Sequence, residues 1–237
     1  MHRKTIEELL RGNHYPGRGI LIGNDQEGRS LVAYFIMGRS ENSRNRIFVE
    51  EEDGLRTQAR DPEKMQDPSL IIYHPVRRLE DRLIVTNGDQ TDTVLTYLKE
   101  GKSFEEALHS RSFEPDGPNW TPRISGLLEG DGSYRLSILK AADPEGVHCL
   151  RYFFSYPAIS GTGHLIHTYQ TDGSPLPSFV GEPHPVEISG GIDDLTERIW
   201  SALDEDNKIS LFVQSIDRTS GLVNRRMINK YEAAGRN

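Results

Sequence analysis

The sequence predicts an α+β fold in which two antiparallel sheets carry helices on their outer faces. Three observations lead there. Strand-like stretches outnumber helix-like ones along the 237 residues. They come in runs, not in the regular alternation with helices that builds a doubly wound parallel sheet. Gly, Asn, Asp and Pro turns separate them at short intervals, as hairpins and meanders require. A single curved antiparallel sheet is the alternative architecture. The length lies near the upper end of what one domain holds, and no long linker interrupts it. Residues 1–237 are therefore expected to form a single domain.

Thr5 to Leu10 reads as a short helix, with Thr5 as cap and Glu8 as its capping-box partner. Ile20-Leu21-Ile22 and residues 30–37 flank the polar turn 24–28 and form a hairpin. Residues 46–50 and 55–59 form a weaker one around Asp53-Gly54. Residues 69–73 and 82–85 are further strand candidates. Helices follow at about 91–100, with Leu95, Tyr97 and Leu98 on its apolar side, and near 104–109. Residues 112–122 make a loop rich in Pro, Gly, Asp and Asn. Four strands, 123–128, 134–141, 148–156 and 163–171, then suggest an antiparallel meander. A long proline-bearing loop, 172–191, leads to the best helix, 192–203. Its apolar face is Ile192, Leu195, Ile199, Trp200 and Leu203. Residues 209–216 form a late strand and 222–228 a final edge strand.

The formal net charge of −8 argues against a nucleic-acid binder, whose footprint is a basic patch. The single cysteine, Cys149, forbids an internal disulfide and sits in an apolar strand context, as a buried structural thiol does. No apolar stretch follows Met1-His2-Arg3-Lys4, and none approaches the roughly 20 residues that span a bilayer. A cytoplasmic protein with no membrane partner is expected. The eight histidines are scattered without zinc spacing, so no metal is expected. No Gly-x-Gly-x-x-Gly and no Gly-x-Ser-x-Gly occurs.

Five segments can carry chemistry. Gly38-Arg39-Ser40-Glu41-Asn42-Ser43-Arg44-Asn45-Arg46 follows the most apolar strand. Its arginines and asparagines suit a phosphate, or else decorate a solvated turn. Tyr15-Pro16-Gly17-Arg18-Gly19 permits close backbone approach to an anion, or is a turn before a strand. In Thr86-Asn87-Gly88-Asp89-Gln90-Thr91-Asp92, Asp89 either caps the next helix or serves as an acid, a base or a ribose acceptor. Trp120, beside Pro122 and Arg123, either lines a base or sugar pocket or anchors a loop. In the strand around His164, His167 and Tyr169, the two histidines face opposite ways and make no metal pair. Glu182, between Gly181 and Pro183, is either a general acid or base or a surface residue.

Taken in order, Tyr15-Pro16-Gly17-Arg18, Val32-Ala33-Tyr34 through Gly38-Arg39-Ser40 to Asn45-Arg46, Asn87-Gly88-Asp89, Thr121-Pro122-Arg123-Ile124 and Thr168-Tyr169 resemble the archaeal-type IMP cyclohydrolase family and its bacterial relatives. The resemblance spans most of the chain and rests on the order of short motifs. It implies a four-layer αββα sandwich, Ntn-hydrolase-like but without a processed N-terminal nucleophile. It implies conversion of 5-formamidoimidazole-4-carboxamide ribonucleotide (FAICAR) to inosine monophosphate (IMP) with loss of water, using no organic cofactor or metal. That chemistry needs an orienting pocket, donors for the formyl oxygen, a proton shuttle and a phosphate clamp.

On this resemblance Arg18, Arg39 and Arg46, with Asn42 beside them, are expected at the phosphate. Trp120 joins them as a substrate-binding residue. Arg123 is expected near the carboxamide or formyl oxygens. Tyr34, Tyr169 and Glu182 are the candidate proton carriers, and Asn87 or Asp89 holds the ribose or the reacting amide. The small-molecule partner is then a purine ribonucleotide, and exposed edge strands suggest a homo-oligomer. The alternatives are a diverged amide or nucleotide hydrolase of the same fold and a non-catalytic purine-nucleotide-binding protein.

Overall fold

The computed structural model describes residues 3–65, 68 and 71–231. The chain opens with α1 (Ile6–Leu10), β1 (Arg18–Asn24), β2 (Ser30–Met37), α2 (Glu41–Arg44), β3 (Arg46–Glu51) and β4 (Gly54–Ala59). It continues through β5 (Val76–Leu79), β6 (Arg82–Thr86), α3 (Gln90–Lys99), α4 (Phe104–His109), β7 (Arg123–Leu128), β8 (Tyr134–Ala141) and β9 (Cys149–Tyr156). It closes with β10 (Thr162–His167), β11 (His184–Glu187), α5 (Ile192–Ala202), β12 (Lys208–Ile216) and β13 (Val223–Asn229).

The strands form two sheets. One has six strands in the order β11-β10-β1-β2-β12-β13, and the other runs from β3 to β9 in chain order. Each named pairing is antiparallel. Strand β2 shows why two sheets form. It is apolar along most of its length and buried throughout. Its side chains alternate, so Val32, Tyr34 and Ile36 face the other sheet while Leu31, Ala33 and Phe35 face helices. A strand apolar on both faces needs cover on both.

Three apolar clusters fill the spaces this creates. Ile6 and Leu10 of α1 and Leu195 and Ile199 of α5 pack on Leu21, Phe35 and Leu211. Ile20, Ile22 and Phe212 meet Val85, Ile124 and Leu136 between the sheets. Val94, Leu98, Phe104 and Leu108 of α3 and α4 cover Ile84, Leu127 and Leu139. The order of layers is helices, sheet, sheet, helices, the expected αββα arrangement.

Helix starts follow local chemistry. Thr5 and Glu8 close the expected capping box, and Ser103 and Glu106 form a second one at α4.

The sequence reading departs from the structure at several elements. Residues 123–128, 134–141 and 148–156 do form a meander, but the fourth strand, β10, crosses to the other sheet and pairs with β1. It ends at His167, so Tyr169 lies beyond it. Strand β5 escaped notice because Arg77 and Arg78 dominate its four residues, and β11 because it contains Pro185. Of the candidate strand 69–73, Ser69 and Leu70 lie outside the described residues, and Ile71 to Tyr73 adopt no strand. The buried side of α3 is Val94 and Leu98, with Leu95 and Tyr97 only partly covered. Cys149 is half-buried at the start of an edge strand, not fully enclosed. Among the described residues no helix is long and apolar enough to cross a membrane.

Candidate active site

The start of β1, the turn after β2, the loop before β7 and the segment after β10 converge on a cleft of about 240 Å³. Arg18, Arg39, Ser40, Ser43 and Arg46 line one side, and Asp116, Thr121 and Tyr169 line another.

Arg18 owes its position to the glycine before it. Gly17 has φ +81°, and a Cβ there would lie 2.2 Å from Thr168 Oγ1 and 2.5 Å from the Tyr169 ring. Glycine alone allows both the backbone turn and the contact. The Arg18 side chain is 11% exposed, and its nearest carboxylate, Glu114, stands at 3.8 Å. Its buried Nε has no hydrogen-bond partner among the described residues. Burial opposes its charge, but Glu114 and the surrounding phenols outweigh burial and hold its pKa well above the ordinary value, so the guanidinium stays charged while its Nε keeps a donor to offer.

Arg46 is buried to 1%. Its Nε donates to Ser43 O at 2.9 Å and its Nη2 to Met37 O at 3.1 Å. No carboxylate pairs with it among the described residues. Burial, and then the charge of Arg18, push its pKa down. Arg39 is less exposed to this problem, because it pairs with Asp172, donates to Gly173 O at 2.9 Å and lies 5.0 Å over the Tyr15 ring. Ser40 caps the single turn α2, which the sequence reading took as loop.

Among the described residues the carboxyl buried deepest beside these cations is Glu114, with its side chain 3% exposed. Burial pushes its pKa up even though Arg18 and Arg123 oppose that shift. Two buried guanidiniums therefore face one carboxyl that burial drives toward its neutral form. The site is short of negative charge and contains a proton-exchanging group.

Arg123 stands in an adjoining network. Its Nη1 donates to Gln90 Oε1 at 2.6 Å and pairs with Asp89 Oδ1 at 2.7 Å, while Arg111 Nη2 reaches Asp89 Oδ2 at 2.5 Å. Asp89 stands at the N-cap position but makes no side-chain cap bond, so the cap reading is replaced by a carboxylate shared between two arginines. Burial alone would raise its pKa, but Arg123 and Arg111 outweigh it and hold it low. A Cβ on Gly88 would lie 2.5 Å from Arg123 Nη1, so the turn needs glycine to let the guanidinium pass. Asn87 is fully buried and occupied. Its Oδ1 accepts from Gln90 Nε2 and Ile124 N, both at 2.9 Å, and its Nδ2 donates to Pro122 O at 2.8 Å.

The remaining candidates lie apart from the cleft lining. Tyr34 sits in the inter-sheet core just behind the cleft, its hydroxyl 2.8 Å from that of Tyr73, its ring stacked on Phe48, and its phenol within reach of the Arg18 and Arg46 charges. Burial raises its pKa well above the ordinary phenol range. Glu182 is exposed, and its charge is felt at Tyr156. Trp120 donates to Pro144 O at 2.9 Å and packs edge-on against Phe113, as a loop anchor does. Asn42 Oδ1 is buried without a partner among the described residues. Arg44 ties Gly38 O to Asn207 Oδ1.

Sequence reasoning missed Glu114, Asp116 and Arg111, and it gave Gln90, inside the third segment, no role of its own. Glu114 and Asp116 fall in the 112–122 loop, whose Pro and Gly content reads as solvent-exposed turn. The available signal was the Phe113-Glu114-Pro115 order, an acid held between two nonpolar neighbours. Among the described residues no group of three His, Cys, Asp or Glu side chains is placed to hold a metal.

Comparison with known proteins bears directly on this cleft. The family model described as IMP cyclohydrolase-like protein matches residues 15–220, a span that contains every lining residue named above. The IMP cyclohydrolase of Methanopyrus kandleri is 32% identical over 159 residues, 65% of this chain and 75% of that protein. That of Methanococcus maripaludis strain C7 is 32% identical over 125 residues, 51% of this chain and 61% of its own. That of Halobacterium salinarum is 30% identical over 132 residues, 54% of this chain and 63% of its own. A family match over so much of the chain, on a fold with this layering, means that the chain belongs to the IMP cyclohydrolase-like protein family.

Proposed function

We infer that this chain is an IMP cyclohydrolase, closing the ring of FAICAR to give IMP and water. The observation that carries the reading is the pair of buried, under-partnered guanidiniums beside a buried carboxyl, on a chain of this family. A ribonucleotide monophosphate supplies the missing negative charge, and the ring closure needs the proton shuttle.

In the geometry proposed, the phosphate meets Arg39 and Arg46 with the hydroxyl of Ser40, since the Ser43 hydroxyl donates its proton to Ser40 O. The reacting end lies toward Arg18, Glu114 and Arg123. The carboxamide nitrogen attacks the formyl carbon, and the bond formed leaves charge on the former formyl oxygen. Arg18 holds that oxygen as its charge grows. The Glu114 carboxylate takes one proton from nitrogen and passes it to the oxygen, giving a ring hydroxyl. It then takes the second proton from the same nitrogen and delivers it to that hydroxyl, so that the C–O bond breaks, the C=N bond forms and water departs. Arg123, fixed by Asp89 and Gln90, keeps Glu114 ionisable by its charge. Asn87 acts behind these groups by holding the Gln90 turn.

The test is the ultraviolet change when the purified protein meets FAICAR, with the product identified by mass. Loss of one water with formation of IMP is expected. Hydrolysis of other amides without IMP would move the chain to the diverged-hydrolase reading, and binding without turnover to the nucleotide-binding one. A cytoplasmic location fits this reading and the single cysteine.

A homo-oligomer through β9 belongs to the same proposal. The edge strands β3 and β13 carry Glu50 and Glu51, and Arg225 and Arg226, while β11 is four residues long with a proline. Strand β9 has eight residues, one charge (Arg151), and Leu150 and Tyr152 exposed at 39% and 42%. Such an edge is left unprotected unless a second copy pairs with it. Light scattering is expected to give at least twice the 26.8 kDa chain mass, falling to one chain in Tyr152→Arg. A wild-type monomer would remove the proposal.

A further inference from the structure

The phenol of Tyr169 is set by two groups behind it. Asp116 accepts from Thr121 N at 2.6 Å through Oδ1 and from the Thr121 hydroxyl through Oδ2. The Thr121 hydroxyl oxygen lies 2.5 Å from Tyr169 OH. All three side chains line the cleft.

Proton counting fixes the direction of this chain. A carboxylate only accepts, and a threonine hydroxyl has one proton. That proton goes to Asp116. The contact between Thr121 and Tyr169 must then be one in which Thr121 accepts, so Tyr169 donates its only proton inward. What the phenol turns toward the cleft is lone pairs. Its pKa supports the same view. Burial pushes it up to about 12 although Arg18 and the Thr121 bond oppose the shift, so it keeps its proton at neutral pH. The ring cannot swing away, because it stacks on Tyr15 with centroids 5.8 Å apart and rests on Gly17.

We propose that Asp116, acting through Thr121, orients Tyr169 as a hydrogen-bond acceptor that takes an N–H of the substrate's primary carboxamide. Asp116 and Thr121 are positioning residues, and Tyr169 a binding residue, not a proton carrier. The inference rests on the cyclohydrolase reading for the identity of the substrate. Its consequence is chemical selectivity. A carboxamide offers N–H donors to the phenol, and a carboxylate of the same shape offers none. With one N–H held by Tyr169, the carboxamide is held in one rotation about the bond from its carbonyl carbon to the imidazole, the orientation ring closure needs.

The test measures binding by calorimetry of two aminoimidazole ribonucleotides that lack the formyl group and cannot cyclise. One carries a 4-carboxamide and the other a 4-carboxylate. In Asp116→Asn the side-chain amide can donate to Thr121, so the chain can reverse and Tyr169 can donate into the cleft. The ratio of carboxamide to carboxylate affinity is expected to shift toward the carboxylate by on the order of tenfold. Thr121→Val, which breaks the chain without reversing it, is expected to shift the ratio in the same direction by less. Tyr169→Phe should make the added effect of Asp116→Asn vanish.

A merely structural role would weaken both ligands alike. An unchanged ratio in both Asp116→Asn and Thr121→Val overturns the proposal, as does a shift that persists in the Tyr169→Phe background. Failure of the wild type to bind either ligand sinks the purine-ribonucleotide reading itself, and the carboxamide role with it.

Discussion

Glu114→Gln is expected to lower kcat for IMP formation by about 10²- to 10⁴-fold, the range in which a positioned acid–base group acts. The substitution keeps the shape of the side chain and removes its ability to exchange a proton. Product binding should change little, because the phosphate is assigned to Arg39 and Arg46. The pH profile gives the sharper result. Burial raises the Glu114 pKa, so the base form is lost at a higher pH than for an ordinary carboxyl. Activity of the wild type should fall as pH drops through that raised value, and the limb should be absent from the residual activity of the variant. A limb that persists unchanged would assign the proton to another group.

Stability should move in the opposite sense. The folded carboxyl holds its proton more tightly than the unfolded chain does. The unfolded state therefore binds fewer protons than the native one between the two pKa values, and stability falls as pH rises from the ordinary carboxyl value through the folded one. Glu114→Gln removes that loss. At neutral pH the variant is expected to be as stable as the wild type or more so, as urea denaturation would show.

The fold was more legible than the site. Strands such as β2 and β8 announce themselves by apolar content and turns, α1 by its capping box and α5 by the period of its apolar face. What escaped was placement. Nothing local to 162–167 says that it leaves the meander and joins β1, since that choice depends on which face each sheet must cover. The segments that carry arginines were visible, and Arg18, Arg39 and Arg46 do come together. Their partners were not. Glu114 and Asp116 look like loop acids until the loop is folded inward over Arg18 and Thr121. Depth was no more legible: Tyr34 stands in the inter-sheet core, close enough for Arg18 and Arg46 to act on its phenol, while Glu182 is on the surface, because neighbouring residues do not report depth.

Arg18→Met is expected to lower kcat by about 10²- to 10³-fold, as removal of a donor to a developing oxyanion does. The same substitution should not destabilise the free protein. Among the described residues Arg18 makes no side-chain hydrogen bond that would be lost, and its one ion pair there is at 3.8 Å. Methionine retains much of the apolar stem without a buried charge to desolvate. It also relieves Arg46, whose pKa the Arg18 charge helps to depress. Glu114 loses a cation that held its pKa down, so any residual activity should show its acid limb shifted to higher pH. A melting temperature equal to or above that of the wild type, with kcat reduced and IMP affinity changed far less, would identify Arg18 as a group kept for the reaction at the expense of the fold. A large loss of stability would mean instead that Arg18 and Glu114 together brace the 112–122 loop, and the oxyanion role would pass to Arg123, whose charge acts on the Glu114 pKa next after that of Arg18 and more than that of Arg46.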